Sequence, residues 1–437
     1  MARSAPGYRQ LNLYSEVEDQ PTFRNSGTTS TFAENVSLPV HRWFRYSAGF
    51  SAAWVRQLIE AERDHGRANV LDPFAGSGTT LLEAELCGVR AIGVEAHPFV
   101  ARVASAKLLW RSDVEAFKCF AAEVLQRAER TPARVKEPAT LLAKCFPPDI
   151  LLKLVSLRTA WLALRDGSPA SELSWLVLMA ILRECSPVGT AQWQYVLPNK
   201  SKAKVLDPFT AFHAKTMMFA TDMALRQALP QGPKALLFQE DARECNSVPD
   251  GWANLVVTSP PYVNNYDYAD ATRLEMTFTG EVNGWGDLQE SVRKHLVRSC
   301  TQHVAAISRA TPEILKEPLL EPIRPELVEV CARLEAEREL HGGKKPYHTM
   351  IAAYFADLAR VWVALRRATA PNSQVCFVVG DSAPYGIYVP VDRWLGKLAI
   401  SAGFRSYHFE KTRDRNIKWK NRKHRVPLRE GRLWVEG

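Results

Sequence analysis

The chain has 437 residues, 46% of them hydrophobic, which is enough for a globular core divided among domains of roughly 100–200 residues each. This composition excludes a disordered chain, a collagen and a disulfide scaffold. The eight cysteines include no pair at the two-residue spacing of a zinc ribbon or redox site, so we expect reduced, mostly buried thiols. The sequence shows no apolar signal-peptide core and no stretch near the ~18 apolar residues of a membrane span. We therefore expect a cytoplasmic protein without membrane contact.

The net charge of +9 is concentrated in one segment. Residues 411–437 hold ten basic and three acidic residues, and so carry seven of the nine net charges. Trp419 lies within this run, and clustered basic residues with an aromatic side chain favour binding of a polyanion such as DNA. The residues expected to contact phosphates are Lys418, Lys420, Arg422 and Lys423. The alternative is a solvated tail without a ligand, because runs of like charge are often just that.

Strands and helices alternate in the first part of the chain. Residues 1–35 are polar and rich in Ser, Thr, Asn and Gly, which predicts a flexible arm. Apolar residues at helical spacing then predict a helix over 51–62. The elements expected after it are a strand at 69–71, a helix that stops at Gly88, a strand at 90–94 and a helix at 99–110. This alternation indicates an α/β fold with a doubly wound, mainly parallel, Rossmann-like sheet.

Two mainly helical segments interrupt the alternation. The expected organisation is an arm at 1–35, core at 36–110, a helical insertion at 111–233, core at 234–270, a charged helical insertion at 271–345, core at 346–410 and a basic tail at 411–437. The later core elements expected are strands at 235–238 and 253–258, a helix at 351–365, a strand at 375–379, a helix at 391–402 and a last strand after Gly403. Either insertion is a candidate for recognising a target.

One short repeat requires interpretation. Residues 205–209 copy residues 70–74 letter for letter, as Val-Leu-Asp-Pro-Phe. The second copy lacks the glycines that follow the first, and these glycines are what allow a ligand to approach the backbone. We interpret the repeat as chance rather than as a duplicated domain.

The densest motif is the run Asp72–Thr80, which joins a predicted strand to a predicted helix. Gly76 and Gly78 permit a tight turn and leave no side chain between backbone and ligand, while the helix N-terminus presents free N–H groups. The third glycine of a dinucleotide fingerprint is missing, and so is the lysine of a phosphate-binding loop. Glu95 ends the next strand, where a carboxylate can accept both ribose hydroxyls of a nucleoside. The alternative for Glu95 is an ordinary surface residue.

The second motif, Val256–Tyr262, is a buried strand stopped by two prolines and an aromatic residue. The prolines fix an extended backbone, so that the Pro260 carbonyl and the Ser259 hydroxyl can both accept hydrogens from one amino group, with Tyr262 as a stacking surface. The alternative is that the prolines simply end the strand. The polar and aromatic residues 264–268 that follow either line a base pocket or form a hydrogen-bonded loop.

Together these motifs resemble the S-adenosylmethionine-dependent amino-methyltransferases of DNA, specifically the cytosine-N4 branch. The resemblance covers the glycine turn, the strand end, the run 240–243, the tetrapeptide 259–262 and the segment 46–50, with the glycine motif first in the chain. It implies S-adenosylmethionine as cofactor, held by Phe50, Asp72, Phe74, Gly76, Gly78, Thr79, Glu95 and Asp241. Of these, the glycine turn would hold the methionine part, Glu95 the ribose and Asp241 the adenine amino group. The catalytic residues implied are Ser259, Pro260, Pro261 and Tyr262.

The residue types also narrow the reaction. Methylation at carbon 5 of cytosine needs a cysteine nucleophile, conventionally after proline, and the sequence has no Pro-Cys pair. An exocyclic amine can instead attack the sulfonium methyl directly, once acceptors at Ser259 and Pro260 draw its hydrogens out of plane. Such an amine is hidden in a duplex, so the base must be flipped. None of the ten histidines has a metal-ligand spacing, and we expect no metal.

We therefore expect a site-specific enzyme that methylates the N4 amine of cytosine in double-stranded DNA, in a restriction-modification or related system with a cognate endonuclease as a potential partner. Three alternatives stay open. An adenine-N6 enzyme needs the same acceptors, and only Ser259, in place of Asp or Asn, favours cytosine. An RNA methyltransferase is disfavoured because the first 40 residues show no RNA-binding module. A DNA-binding protein without catalysis is disfavoured by the intact motifs.

Overall fold

The computed structural model describes residues 32–46, 49–133, 137–189, 197–201, 205–264, 266–415 and 426–437. Its strands are β1 (Asn69–Asp72), β2 (Arg90–Val94), β3 (Val188–Gly189), β4 (Leu197–Ser201), β5 (Leu236–Phe238), β6 (Ala253–Thr258), β7 (Thr369–Gly380), β8 (Ser406–Arg415) and β9 (Leu428–Glu436). Seven of them form one sheet in the order β5-β2-β1-β6-β7-β9-β8. The first five in this order run parallel, whereas β9 is antiparallel to both neighbours. The predicted Rossmann-like α/β class is confirmed.

Helices connect the strands and fill both insertions. They are α1 (Ala52–Asp64), α2 (Thr79–Leu86), α3 (Pro98–Leu108), α4 (Val114–Arg130), α5 (Thr140–Cys145), α6 (Pro148–Leu164), α7 (Pro169–Ile181), α8 (Pro208–Gln227), α9 (Tyr268–Ala271), α10 (Arg273–Thr279), α11 (Asp287–Ser291), α12 (Thr311–Ile314), α13 (Arg324–Leu340), α14 (Tyr347–Ala368) and α15 (Val391–Ser401). Each helix predicted from apolar spacing lies within a few residues of an observed one. None of the helices in these described parts is long and apolar enough to cross a membrane.

Alternate residues of the parallel strands enter two different apolar layers. Leu71 and Val256 pack in the layer of α14 and α15, whereas Val70 and Leu255 pack in the layer of α1 and α2. All four side chains are fully buried. Because successive side chains of a strand point to opposite faces, helices must cover both sides of the sheet, as parallel strands require. The carboxyl ends of β1, β2, β5 and β6 are left as a common edge.

The first insertion is attached to the segment that precedes α1. Helices α4, α6, α7 and α8 share one apolar cluster with Trp43, whose ring stacks on Phe219 at 4.4 Å between centroids. Asp222 of α8 is fully buried and accepts hydrogen bonds from the Trp43 indole at 3.0 Å and the Arg42 guanidinium. These bonds hold the backbone that leads to Tyr46 in a fixed position against the insertion.

The segment 271–345 is helical, as predicted, but its apolar residues divide between two clusters. Those from Leu274 to Leu296 join the cluster of the first insertion, and those from Val297 to Leu334 join the cluster of α14. The change from one cluster to the other falls between Leu296 and Val297. This segment is therefore packed into the rest of the molecule rather than set apart from it.

The predicted basic tail at 411–437 is wrong as a structural unit. A boundary at residue 410 cuts through β8, and residues 428–436 form β9, which lies between β7 and β8. Leu433 and Val435 are fully buried at alternate positions of β9, and charged residues occupy positions between apolar ones. The basic composition concealed this strand pattern, so one final strand was predicted where two exist. The four residues expected to contact phosphates, at 418–423, lie outside the described residues.

The boundary predicted for the N-terminal arm also needs correction. Most of the arm, residues 1–31, lies outside the described residues, but Phe32–Ser37 forms a 3-10 helix. The Asn35 side chain donates to the Phe50 carbonyl at 2.9 Å and accepts from the Ala52 N–H at 2.9 Å. Asn35 thus holds the start of α1 and belongs to the folded part of the chain.

The structure agrees with the interpretation of the short repeat as chance. In both copies the aspartate accepts from the backbone N–H two residues later, at 3.1 Å. Asp72 ends a central strand of the sheet, however, whereas Asp207 caps the N-terminus of α8 in the insertion. The shared letters therefore serve two different local structures.

Candidate active site

The turn between β1 and α2 contains two glycines in the left-handed region of backbone conformation. Gly76 has φ +53° and Gly78 has φ +87°, a region in which residues with a side chain are strained. Gly78 is also the N-cap residue of α2. A Cβ on Gly76 would lie 3.5 Å from the ring of Tyr46, so the turn passes directly under that ring. The predicted geometry of the glycine motif is present.

Asp72 acts inside this turn. Its carboxylate is 1% exposed and accepts from the Thr258 hydroxyl at 2.6 Å and from the Phe74 N–H at 3.1 Å. Burial raises the pKa of Asp72 to about 6, although these hydrogen bonds favour the charged form. The carboxylate ties the end of β1 to the end of β6, and it does not line the cavity described below.

Glu95 connects the end of β2 to the glycine turn. One carboxylate oxygen accepts from the Gly76 N–H at 2.8 Å, and the other accepts from the His97 N–H at 2.8 Å. Burial raises the pKa of Glu95 to about 7, and the backbone donors partly oppose that rise. Each oxygen keeps a lone pair for a further donor, and the residue lines a cavity.

A cavity lies at the carboxyl edge of the sheet, with about 580 Å³ of space when the open solvent at its mouth is included. The predicted residues that it brings together are Phe74, Gly76, Glu95, Asp241, Ser259 and Pro261. It thus joins the glycine turn to the Ser-Pro-Pro-Tyr segment, although they are far apart in the chain. The predicted residues absent from its lining are Phe50, Asp72, Gly78, Thr79, Pro260 and Tyr262. Phe50 is instead buried against Trp54, with ring centroids 5.7 Å apart.

Several wall residues were not predicted. They are Tyr46, Pro73, Ala96, His97, Ala242, Tyr268 and His295–Val297. Tyr46 and Tyr268 lie in segments that the sequence had marked, so their rings could have been proposed. The segment 295–297 carries no motif, and only the packing of the second insertion brings it to the cavity. It lies where the two apolar clusters meet.

A chain of ion pairs fixes Asp241 in the cavity wall. The Arg243 guanidinium donates from Nε to both oxygens of Asp241 at 2.9 Å and from Nη1 to Asp357 at 3.1 Å. Asp357, on α14, is fully buried and also accepts from Arg298 at 2.8 Å. Burial opposes ionisation of Asp357, but the Arg298 hydrogen bonds hold its pKa below the usual range. The same network therefore holds Asp241 and the segment next to His295.

The Ser259 hydroxyl is oriented by the sheet. It donates to the Val378 carbonyl at 3.3 Å, and a carbonyl can only accept. A hydroxyl oxygen can also accept hydrogen bonds, and Ser259 lines the cavity while it lies within hydrogen-bonding reach of the Tyr262 hydroxyl. Burial raises the pKa of the Tyr262 hydroxyl well above its usual range, so this group stays neutral. The guanidinium of Arg415 lies over the Tyr262 ring, 5.1 Å from its centroid.

One group of side chains has metal-ligand chemistry. Atoms of Asp267, Cys300 and His303 lie within 4.8 Å of one another in a buried position. Asp267 forms an ion pair with Arg293 at 2.6 Å. Burial alone would raise the pKa of Asp267, but hydrogen bonds from His303 and Arg293 outweigh this effect and lower the pKa to about 2. An ion-paired support for the cavity wall accounts for this group, and the expected absence of a metal stays a prediction.

Comparison with known proteins points to DNA methylation. A family model described as a DNA methylase, for N6 and N4 methyltransferases, matches residues 13–106. These residues include the glycine turn and Glu95. Together with the relatives below, this match supports the N4/N6 DNA methyltransferase family and leaves the choice between the two amines open. Type II DNA methyltransferases of this family use S-adenosylmethionine as methyl donor.

The curated relatives match over most of the chain. The chain is 24% identical to the Type II methyltransferase M.BsoBI of Geobacillus stearothermophilus, over 89% of this chain and 83% of that protein. It is also 24% identical to the Type II methyltransferase M.AvaI of Nostoc sp. and to that of Anabaena variabilis, over 86% of this chain and 81% of each protein. No solved structure matches.

Proposed function

We propose that this protein is a site-specific DNA methyltransferase that transfers a methyl group from S-adenosylmethionine to the N4 amine of a flipped cytosine in double-stranded DNA. The observation that carries the proposal is the single cavity that joins Gly76, Glu95 and Asp241 to Ser259. A methyl donor and an amino group brought to this cavity would lie side by side. The similarity to Type II methyltransferases supports a place in a restriction-modification system, with a cognate endonuclease as partner.

The residues present fit this cofactor. The Glu95 oxygens keep free lone pairs for the ribose hydroxyls, and the bare backbone at Gly76 allows close approach of the methionine part. Asp241 would accept from the adenine amino group while Arg243 holds its carboxylate in place. When bound, S-adenosylmethionine supplies a methyl group on a positively charged sulfur.

The catalytic residues activate the amine and do not attack it. The Ser259 oxygen and the Pro260 carbonyl would accept the two N4 hydrogens and make the nitrogen lone pair available. The activated amine would take the methyl group that the cofactor supplies, with the electrons of the sulfur–carbon bond left on sulfur, and would then lose one proton to solvent. The cavity contributes chiefly by aligning nitrogen, methyl carbon and sulfur. Tyr262 would stack on the base and hold it in line.

The choice of cytosine rests on Ser259. A hydroxyl is shorter than the carboxylate or amide that an adenine enzyme places there, so the pocket wall stands further from the base. The competing function is N6 methylation of adenine, which needs the same two acceptors. Mass spectrometry of nucleosides from DNA of cells that express the protein distinguishes the two.

We expect N4-methylcytosine in that DNA, and none when the cells express Ser259→Ala at the same level. The matched control is Ser247→Ala, an exposed residue away from the cavity, which should leave the product level unchanged. N6-methyladenine without N4-methylcytosine would move the protein to the adenine branch. Methylation confined to RNA would contradict the DNA substrate.

A further inference from the structure

The Tyr262 ring contacts an apolar cluster and a guanidinium group. Tyr262 packs against the apolar cluster that contains Trp54 and Val378. The guanidinium of Arg415, at the end of β8, lies over the ring at 5.1 Å from its centroid. This distance is that of a cation–π contact. A base that stacks on the face of Tyr262 under Arg415 must therefore take the place of the guanidinium.

Arg415 is held there by contacts that are easily exchanged. Its Nη1 donates to the Asp381 carbonyl at 2.8 Å, and its Nε lies 3.8 Å from the Glu430 carboxylate. The side chain crosses Gly380, where a Cβ would lie 2.7 Å from Nη1. About a fifth of the side chain is exposed. One neutral hydrogen bond and one long ion pair do not lock a guanidinium in place.

Departure of Arg415 would leave no buried charge without a partner. Glu430 is 4% exposed, so removal of its last cation would be costly. Arg413 pairs with the same carboxylate at 2.8 Å and would remain. Two arginines thus serve one glutamate, and the one over the ring is the more weakly paired. The arrangement leaves Arg415 free to change partner.

We propose that Arg415 is a base-selecting residue, which leaves the Tyr262 ring when the target base enters and donates to the O2 oxygen of that base. The inference rests on the proposed cytosine-N4 function. Cytosine presents two neighbouring acceptors, N3 and O2, beside its amino group, whereas adenine presents one acceptor and a C–H at the equivalent place. A planar guanidinium presents paired N–H donors in a fixed geometry that matches two neighbouring acceptors, whereas a lysine ammonium is a flexible point charge without that geometry. Arg415 would therefore favour binding of cytosine over adenine.

The test compares two basic residues of β8. The variants Arg415→Gln and Lys411→Gln each remove one positive charge from this strand, but only the first removes a donor over Tyr262. Lys411 pairs with Asp414 at the surface, so its replacement leaves Arg413 in place for Glu430 when Arg415 moves. Single-turnover methylation of unmodified plasmid DNA would be followed with a radiolabelled cofactor at saturating enzyme. We expect the Arg415→Gln rate to fall by about 10- to 100-fold, and the Lys411→Gln rate to stay within about threefold of the wild type. Arg415→Lys should give a rate between those of the wild type and Arg415→Gln.

Two further measurements keep the inference separable from other causes. Cofactor affinity by calorimetry should be the same within about twofold for wild type and Arg415→Gln, because Arg415 does not line the cofactor cavity. A parallel decrease in cofactor affinity would mean a structural role and would overturn the inference. An unchanged or faster rate in Arg415→Gln would also overturn the inference, because it would show that Arg415 only covers the Tyr262 ring. The product of the wild-type enzyme tests the proposed function separately, since N6-methyladenine would reject that function whatever Arg415 does.

Discussion

At the scale of single residues, Glu95 is a carboxyl group in surroundings that disfavour its charged form. Its raised pKa, about 7, means that the carboxyl gains a proton as the pH falls through neutrality. The charged form can accept two ribose hydroxyls, whereas the protonated form offers fewer acceptors. We therefore expect the dissociation constant of S-adenosylmethionine to increase by about tenfold between pH 8.5 and pH 5.5, measured by isothermal titration calorimetry.

The control for this pH dependence is Glu95→Gln, which should bind weakly and show a nearly flat profile. The neighbouring His97 does not confuse the measurement, because burial lowers its pKa to about 4. The charge of Asp72 contributes to the raised pKa of Glu95, and burial raises the pKa of Asp72 itself to about 6. Asp72 is present in both proteins compared, so its own titration appears in both profiles. If Glu95→Gln kept the wild-type pH dependence, the ribose assignment would have to be abandoned.

At the scale of elements, Asp357 joins α14 to the β5–β6 connection and to the second insertion. Replacing it by asparagine leaves Arg243 and Arg298 without their buried negative partner. Breaking a buried ion pair on one side costs about 3–5 kcal/mol. We expect Asp357→Asn to lower the free energy of unfolding by about 3 kcal/mol in urea titrations. Cofactor affinity should fall as well, because Arg243 no longer holds Asp241 in a fixed position.

The matched control is Asp250→Asn, which also breaks a pair with an arginine of α14. Asp250 pairs with Arg367 at the surface, where its side chain is 78% exposed. Its replacement should change the free energy of unfolding by less than about 0.5 kcal/mol. Equal effects of the two variants would show that the buried network has no special part in the fold.

At the scale of the whole molecule, the parts predicted from sequence are those in which local pattern and position in the fold coincide. The glycine turn, Glu95 and the strand before Ser259 each follow from a few adjacent residues, and parallel strands bring their ends to one edge. The helices follow from apolar spacing for the same reason.

The parts that could not be predicted depend on contacts between distant segments. Nothing near His295 in the sequence indicates a cavity wall, since its place is set by two separate apolar clusters. The strand β9 was concealed because its charged residues raise the basic count of the segment while alternate residues are buried. Asp72 matched the motif but its carboxylate serves Thr258, a partner far along the chain.

The basic segment supplies the prediction for the molecule as a whole. Neutralising Lys418, Lys420, Arg422 and Lys423 together should weaken binding to all duplexes alike, because interactions with phosphates carry no sequence information. The slope of log affinity against log salt should fall by about 0.9 for each phosphate that is no longer neutralised, measured by fluorescence anisotropy at several salt concentrations. A variant at Lys418 and Lys420 alone should give about half of that change. An unchanged slope would mean that these residues do not contact phosphates and are a solvated segment.

The position of β9 has a consequence for the order of folding. This strand lies between β7 and β8, although it follows both in the chain. Until residues 428–436 join the sheet, β8 lacks the one neighbour that it has among the described strands, and the edge of β7 stays open. Exposed strand edges pair readily with other chains, so a shortened or late-docking β9 would expose the protein to aggregation.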